Sequence, residues 1–303
     1  MKKLILFVTV FLLAVFGCVS CMSVTVETPT VPATNVSTAT VEPATTTPEV
    51  FIALTQAVPE TDLPTESQGL AVTYPPLSLI VPPAIANGAS GSEQPRVDSD
   101  DAAWWQKTPG HLLVSLGDYY VLQGKTHQPQ IAVYPALEYA ELVPAAFEAI
   151  HRLDNILYGS VNPEPGNLPA APFINAQQSF ASNIQVLSFQ NGSGVRFVTQ
   201  YDQYAAPANN QDLFYQFQGV TRDGAYYIVA IFPLTTPVLA ETSAADAPLP
   251  EGGIVYPDMM DTNADFPGYY AAVTGLLNAQ PPEAFTPTLD QLDALVQSML
   301  VAP

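Results

Sequence analysis

Two short turn signals divide residues 180–234 into four strand-like runs, and they constrain the fold more than any other feature of this sequence. Asn191-Gly192 separates SFASNIQVLSFQ from SGVRFVTQYDQY, and Asp223-Gly224 separates DLFYQFQGVTR from AYYIVAIFPL. Asn-Gly and Asp-Gly pairs favour type I′ turns, because both central residues of that turn need a positive φ. The region therefore predicts two β-hairpins and four antiparallel strands in sequence order.

Apolar and polar residues alternate along these runs, so each strand is expected to have two different faces. The second run places three apolar residues on one face: Val195, Phe197 and Tyr201. Its polar residues point the other way: Arg196, Gln200 and Asp202. In the third run two glutamines alternate with apolar residues: Leu213, Tyr215, Gln216, Phe217 and Gln218. The last run, Tyr226–Leu234, is apolar on both faces, which predicts a strand covered on both sides.

The clearest helix is PAAFEAIHRLDNILYG, which begins with Pro144 and ends at Gly159, residue types that favour those helix positions. Its apolar residues at helical spacing predict one buried face: Phe147, Ile150, Leu153 and Leu157. Glu148 and Arg152 lie four residues apart and are expected to pair on the exposed side.

The remaining elements complete an α+β prediction. Further strands are expected in Gly69–Val81, where Pro75-Pro76 indicates a sheet edge, and in His111–Leu122 and Pro129–Pro135. The residues between Val81 and Gly110 are predicted to form a loop. Two helices close the chain, DFPGYYAAVTGLLNAQ and TLDQLDALVQSML, the second with a capping box of Thr288 and Gln291. We expect one domain, residues 68–303, with amphipathic helices packed on an antiparallel meander.

Residues 1–21 are typical of an export signal. Lys2 and Lys3 precede an apolar run, Leu4–Phe16, in which only Thr9 is polar. The run has the length of a signal-peptide core and is short for a membrane-spanning helix. It resembles a bacterial lipoprotein signal, and this resemblance implies a cysteine that receives a diacylglycerol thioether before cleavage.

Two cysteines are candidates for that modification, Cys18 and the alternative Cys21. Cys18 ends the apolar run and follows Gly17, although the bulky Phe16 departs from the lipoprotein pattern. An uncleaved anchor formed by Leu4–Val24 is a further alternative. In either case the positive end stays in the cytoplasm and the rest lies outside it, in the bacterial cell envelope.

The segment that follows, residues 22–67, contains 12 Thr and 6 Pro and has no Lys, Arg or Gly. Such a composition offers too little apolar surface to offset the entropy lost on ordering. It predicts a disordered stalk between the anchor and the domain.

Charge restricts the partners of this chain. It has 8 basic and 28 acidic residues, and two of the basic residues are Lys2 and Lys3 of the signal. Nucleic acid is therefore excluded as a partner, because no basic stripe is present to release counterions from phosphates. Both cysteines lie within residues 1–21, so neither a disulfide nor a thiolate metal site can hold the domain together.

Three segments carry a resemblance to exported bacterial lipoproteins of unassigned role: VYPALEYAEL, FQNGSGVRFVTQYDQY and LFYQFQGVTRDGAYYIVAIFPL. The resemblance covers most of residues 68–239 and implies no catalytic residues. A fainter resemblance to the PsbP-like fold depends on an early strand running into TYP, a hairpin with an Asp-Gly turn and a closing amphipathic helix. It implies a fold only, since one fold supports many functions.

Few residues fit a catalytic or metal-binding pattern. The histidines, His111, His127 and His151, form no HExxH or HxH pair. Ser193 lies in NGSGV, which a hairpin turn explains better than a nucleophile elbow, because position 191 of the G-x-S-x-G pattern is Asn. No cofactor is expected.

Two further groups are candidates for binding. Three acidic side chains offer oxygen ligands to calcium, although they lack the glycine and distal glutamate of an EF-hand: Asp98, Asp100 and Asp101. Trp104 and Trp105 are adjacent in a loop, where they can pack in the core or form an aromatic platform for sugars or apolar ligands.

The leading hypothesis is a non-catalytic, lipid-anchored envelope domain that binds a ligand or a partner. The alternative is an envelope hydrolase that uses a pair of carboxylates in a cleft, with three candidates: Glu138, Glu141 and Asp202. Carboxylate pairs leave no sequence signature, so the absence of a motif does not exclude this alternative.

Overall fold

The computed structural model describes residues 69–120 and 123–302, which form an α+β fold with antiparallel sheets, as the sequence predicts. The strands are β1 Leu70–Tyr74, β2 Leu77–Val81, β3 Gly88–Gln94, β4 His111–Gly117, β5 Gln130–Pro135, β6 Gln177–Phe189, β7 Gly192–Asp202, β8 Phe214–Thr221, β9 Tyr226–Pro233 and β10 Leu300–Val301. The helices are α1 Ala136–Leu142, α2 Pro144–Leu157, α3 Phe266–Asn278 and α4 Leu289–Gln297. The segments predicted to be an export signal and a stalk, and both cysteines, lie outside the described residues.

Seven strands form the main sheet, in the order β3-β4-β5-β9-β8-β7-β6, and every neighbouring pair is antiparallel. The prediction of four consecutive antiparallel strands is confirmed by β6 to β9. A smaller sheet has the order β1-β2-β10, so the segment predicted as one interrupted strand is a hairpin that turns at Pro75-Pro76. Strand β3 lies within the segment predicted to be a loop, and it is ordered by its seven-residue pairing with β4.

Both central hairpins are confirmed, but the type I′ turns are not. The first loop consists of Gln190 and Asn191, and Gly192 is the first residue of β7. Only Gly224 of the second loop has a positive φ, of 71°. Gly192 is needed instead for close packing, because a Cβ atom there would lie 2.4 Å from the carbonyl oxygen of Val220.

Both faces of the main sheet are covered. One face packs against α3, α4 and the small sheet, and the other packs against α1 and α2. The polar residues that alternate along β7 and β8 are consequently not on a solvent-facing surface. Arg196 and Gln200 are buried on the face that packs against α3, α4 and the small sheet. Gln216 and Gln218 are buried on the face that packs against α1 and α2. The predicted division of these strands into two different faces is confirmed, and both faces are buried.

Helix α2 spans Pro144–Leu157, and its predicted apolar face is confirmed in part: Leu153 is buried, and Ile150 and Leu157 are partly buried against the core. Its buried residues are Ala146, Ala149, Leu153 and Ile156, whereas Phe147 is 54% exposed. The small alanine side chains let the helix lie close to the sheet, and Phe147 stacks on His151 on the outer side. Gly159 follows the helix with a positive φ of 72°, as expected for a C-terminal glycine.

Helix α4 begins as the sequence predicts. The Thr288 hydroxyl accepts from the Gln291 backbone N–H at 3.2 Å, and Gln291 Oε1 accepts from the Thr288 N–H at 3.1 Å.

Among the described residues no helix has both the length and the apolar character needed to cross a bilayer.

Candidate functional site

The two tryptophans lie in the connection between β3 and β4. Two backbone hydrogen bonds between Val97 and Thr108, of 2.8 and 3.0 Å, close the base of this loop. Within it, residues 104–106 form one turn of 3-10 helix, and Gln106 Oε1 accepts from the Ala103 backbone N–H at 3.0 Å. The loop therefore holds both indole rings in a defined place.

The ring of Trp104 is supported by aromatic contacts and still faces solvent. Its centroid lies 5.8 Å from that of Trp105 in an edge-to-face arrangement and 5.7 Å from that of Phe173. Phe173 in turn lies 6.1 Å from Tyr139 of α1. Trp104 nevertheless remains 54% exposed, so a large apolar ring is fixed at the surface.

Both tryptophans line a cavity of about 1150 Å³, which we call the Trp cleft. One side is the part of α2 between Ala145 and Arg152, and the other is the loop of residues 165–176. The start of β6, Tyr201 of β7 and Gln203 complete the lining. The cleft therefore brings together four segments that are far apart in the sequence.

The loop wall of the Trp cleft is fastened to the sheet by two glutamines of β8. Gln218 Nε2 donates to the Pro169 carbonyl at 2.8 Å, and Gln218 Oε1 accepts from the Ala171 N–H at 3.2 Å. Gln216 Nε2 donates to the Ala171 carbonyl. Both glutamines are fully buried, so these bonds replace water, except at Gln216 Oε1, which has no partner among the described residues.

Two polar groups of the lining have unused hydrogen-bonding capacity. Gln178 and Tyr201 face each other across the β6–β7 ladder. Neither Gln178 Nε2 nor the Tyr201 hydroxyl finds a hydrogen-bond partner among the described residues, and both atoms are buried. Burial also raises the pKa of Tyr201, so its hydroxyl keeps its proton and can donate at neutral pH.

The charged residues of the Trp cleft are few and exposed. Glu148 and Arg152 of α2 are the only acidic and basic side chains among the lining residues. The described residues form two ion pairs, Arg96–Asp98 and Arg196–Asp293, so the predicted pairing of Glu148 with Arg152 is not observed. Their charges remain available to solvent or to a ligand.

No family model matches this chain, and no curated protein or solved structure is significantly similar to it. The resemblances to exported lipoproteins and to the PsbP-like fold thus stay predictions. Function has to be inferred from the geometry of the Trp cleft itself.

The histidines lie apart from one another in ordinary structural settings. His111 Nδ1 donates to the Pro109 carbonyl at 2.9 Å, and its ring lies 4.4 Å from that of Tyr134, tilted by 34°, beside a smaller cavity of about 280 Å³. His127 packs against Phe214, and burial lowers the pKa of both His111 and His127. His151 is exposed on α2.

Ser193 lies in β7 and not at an elbow between a strand and a helix.

The three aspartates proposed as calcium ligands do not form a site. Asp98 is paired with Arg96 at 2.6 Å, and Asp100 and Asp101 follow in an exposed turn. Within residues 69–120 and 123–302, no group of three or more His, Cys, Asp or Glu side chains is placed to hold a metal ion. Hard cations need several converging oxygen ligands, which these three aspartates do not supply in this arrangement, and calcium binding stays a prediction.

The carboxylates proposed for the hydrolase do not converge either. Glu138 and Glu141 are exposed on α1, which follows the end of β5. Asp202 lies at the opposite end of the sheet, where it accepts from the Ser179 hydroxyl at 2.5 Å and from Gln200. Burial raises the pKa of Asp202, and these hydrogen bonds oppose that rise. None of the three lines the Trp cleft.

Proposed function

We propose that this chain is a lipid-anchored envelope protein whose folded domain binds a ligand in the Trp cleft. One observation carries the proposal. Both tryptophans of the sequence line the same cavity, and one of them presents a supported, exposed ring to it. Large clefts with aromatic walls and a few convergent polar groups are typical of ligand-binding sites.

Binding is favoured over hydrolysis by the chemistry of the lining. A glycosidase-type mechanism needs two carboxyl groups about 5 to 9.5 Å apart. The lining of the Trp cleft contains one carboxylate, Glu148, and no histidine, cysteine or lysine. The lining therefore consists mainly of aromatic rings and amides, and it lacks the pair of acid–base or nucleophilic side chains that hydrolysis requires.

Tryptophan emission gives a direct test of ligand binding, because no tryptophan lies elsewhere in the chain. We expect a size-fractionated digest of the bacterial envelope to change the emission of the full-length protein saturably. Replacing Trp104 by alanine should weaken that response about tenfold or more, since exposed aromatic anchors contribute strongly to binding. The remaining Trp105 reports the response of the variant.

Phe147→Ala is the matched control, because Phe147 is an equally exposed aromatic residue on α2 that is not part of the cleft lining. Its response should equal that of the wild type. If no envelope fraction changes the emission, or if both variants respond equally, the proposed binding role is rejected.

The anchor is tested separately. In bacteria fed labelled palmitate, the wild-type chain should be labelled, Cys18→Ser should abolish the label, and Cys21→Ser should keep it. Loss of the label only in Cys21→Ser would move the anchor to the second cysteine. An unlabelled wild-type chain found in the cytosolic fraction would reject the lipid anchor altogether.

A further inference from the structure

The lining of the Trp cleft also restricts the chemical class of the ligand. Six of its hydrogen-bonding side chains are amides or hydroxyls: Asn175, Gln177, Gln178, Ser179, Tyr201 and Gln203. Amides and hydroxyls each donate and accept, so they match a ligand that does the same. A hydroxyl-rich ligand fits this set better than an acyl chain, which would leave these polar groups without partners.

Two unpartnered polar atoms in the lining of the Trp cleft also favour a hydroxyl-rich ligand. Gln178 Nε2 and the Tyr201 hydroxyl are buried and lack partners among the described residues. A buried donor without a partner carries a free-energy cost, because it has lost its hydrogen bonds to water. Ligand hydroxyl groups that accept from these donors would recover that cost and orient the ligand along β6.

Charge excludes the two ionic alternatives. The chain has a formal net charge of −20, so an anionic polymer is repelled at long range. A cationic ligand would need several acidic groups in the lining, and Glu148 is the only one, set beside Arg152. The cleft is therefore suited to a neutral ligand.

Trp104 supplies the remaining element of recognition. A pyranose ring has C–H groups on its faces and hydroxyl groups around its edge, so it places an apolar face on a flat aromatic ring and its hydroxyls on nearby amides. The contacts of Trp104 with Trp105 and Phe173 fix the indole before binding, which reduces the entropy lost in the complex. The volume of about 1150 Å³ exceeds the usual range of small-molecule pockets and leaves room for several sugar units.

From these observations we infer that the Trp cleft binds a neutral oligosaccharide, stacked on Trp104 and hydrogen-bonded by Gln178 and Tyr201. This inference rests on the proposed binding role of the cleft. Three neutral linear hexasaccharides serve as probes for calorimetric titration of the full-length protein in lipid nanodiscs: maltohexaose, cellohexaose and hexa-N-acetylchitohexaose. At least one of them should bind saturably.

Variants separate recognition from folding. Trp104→Ala should weaken binding of that hexasaccharide about tenfold or more, and Trp104→Phe should restore part of it, because a flat ring remains. Gln178→Leu keeps the size of the side chain and removes its amide, so it should also weaken binding about tenfold. Phe147→Ala should bind like the wild type.

A proline-rich decapeptide and the neutral apolar probe N-phenyl-1-naphthylamine are titrated in parallel. If either binds in a Trp104-dependent manner while no hexasaccharide does, the saccharide inference is overturned and the binding role stands. If no probe binds but an envelope fraction still changes the tryptophan emission, the saccharide inference likewise fails alone. If nothing binds and no fraction changes the emission, both fail.

Discussion

Replacing Asp293 by asparagine is expected to lower the free energy of unfolding by about 3 kcal/mol. Asp293 of α4 lies under the sheet, where Oδ1 is 3.2 Å from Arg196 Nε and Oδ2 accepts from Arg196 Nη2 at 3.3 Å. The Tyr215 hydroxyl donates to Oδ1 at 2.8 Å. Both charged residues are more than 90% buried, so removing the carboxylate leaves a guanidinium charge with little access to water.

Urea unfolding of the purified protein measures this loss, and Asp290→Asn is the matched control. Asp290 lies in the first turn of the same helix and is exposed, so its charge contributes through the helix dipole, by about 1 kcal/mol at most. An equal shift of the two unfolding midpoints would mean that the ion pair with Arg196 contributes little.

The same pair shows where the alternation pattern of the sequence stops being informative. The pattern predicted correctly that Arg196 and Phe197 occupy opposite faces of β7. It did not indicate whether the second face meets water or another layer. The sequence of β9 answers this question, because it is apolar on both faces and so predicts a strand covered on both sides. Its neighbour β8 must then be covered on both sides as well. Applied to β8, that reasoning predicts buried Gln216 and Gln218.

Helix α2 shows a second limit of the sequence. Periodicity located the helix and its end, but large side chains were assumed to mark the buried face. Ala146 and Ala149 face the sheet instead, because a small side chain permits close approach, and Phe147 is left outside. Where a helix packs closely against a sheet, the largest apolar side chains are therefore not always the buried ones.

The Trp cleft was only partly predictable for a different reason. Adjacent tryptophans are visible in a sequence, and they suggested a platform. Phe173, Gln178 and Tyr201 reach the same cavity through the loop of residues 165–176 and the β6–β7 pairing, and no local pattern links them to Trp104. Sites assembled from distant segments need the topology before their members can be named.

The second large effect is expected for Gln218→Ala, which should lower the free energy of unfolding by about 3 kcal/mol or more. The substitution leaves three buried groups without their partner: the Pro169 carbonyl, the Ala171 N–H and the Tyr227 hydroxyl. Each such loss costs about 1–3 kcal/mol. Because these bonds also hold one wall of the Trp cleft, ligand affinity should fall together with stability.

Hydrogen exchange distinguishes the local effect from general destabilisation. The Ala171 amide should exchange faster in Gln218→Ala by more than the global change in stability explains, because its hydrogen-bond acceptor is gone. Gln211→Ala is the control: Gln211 is exposed, so its unfolding midpoint and the exchange of Ala171 should stay at wild-type values. If Ala171 exchange in Gln218→Ala only follows global unfolding, the glutamine stabilises the core without positioning the wall, and the cleft must owe its shape to the packing of Leu168 and Ala171 against the sheet.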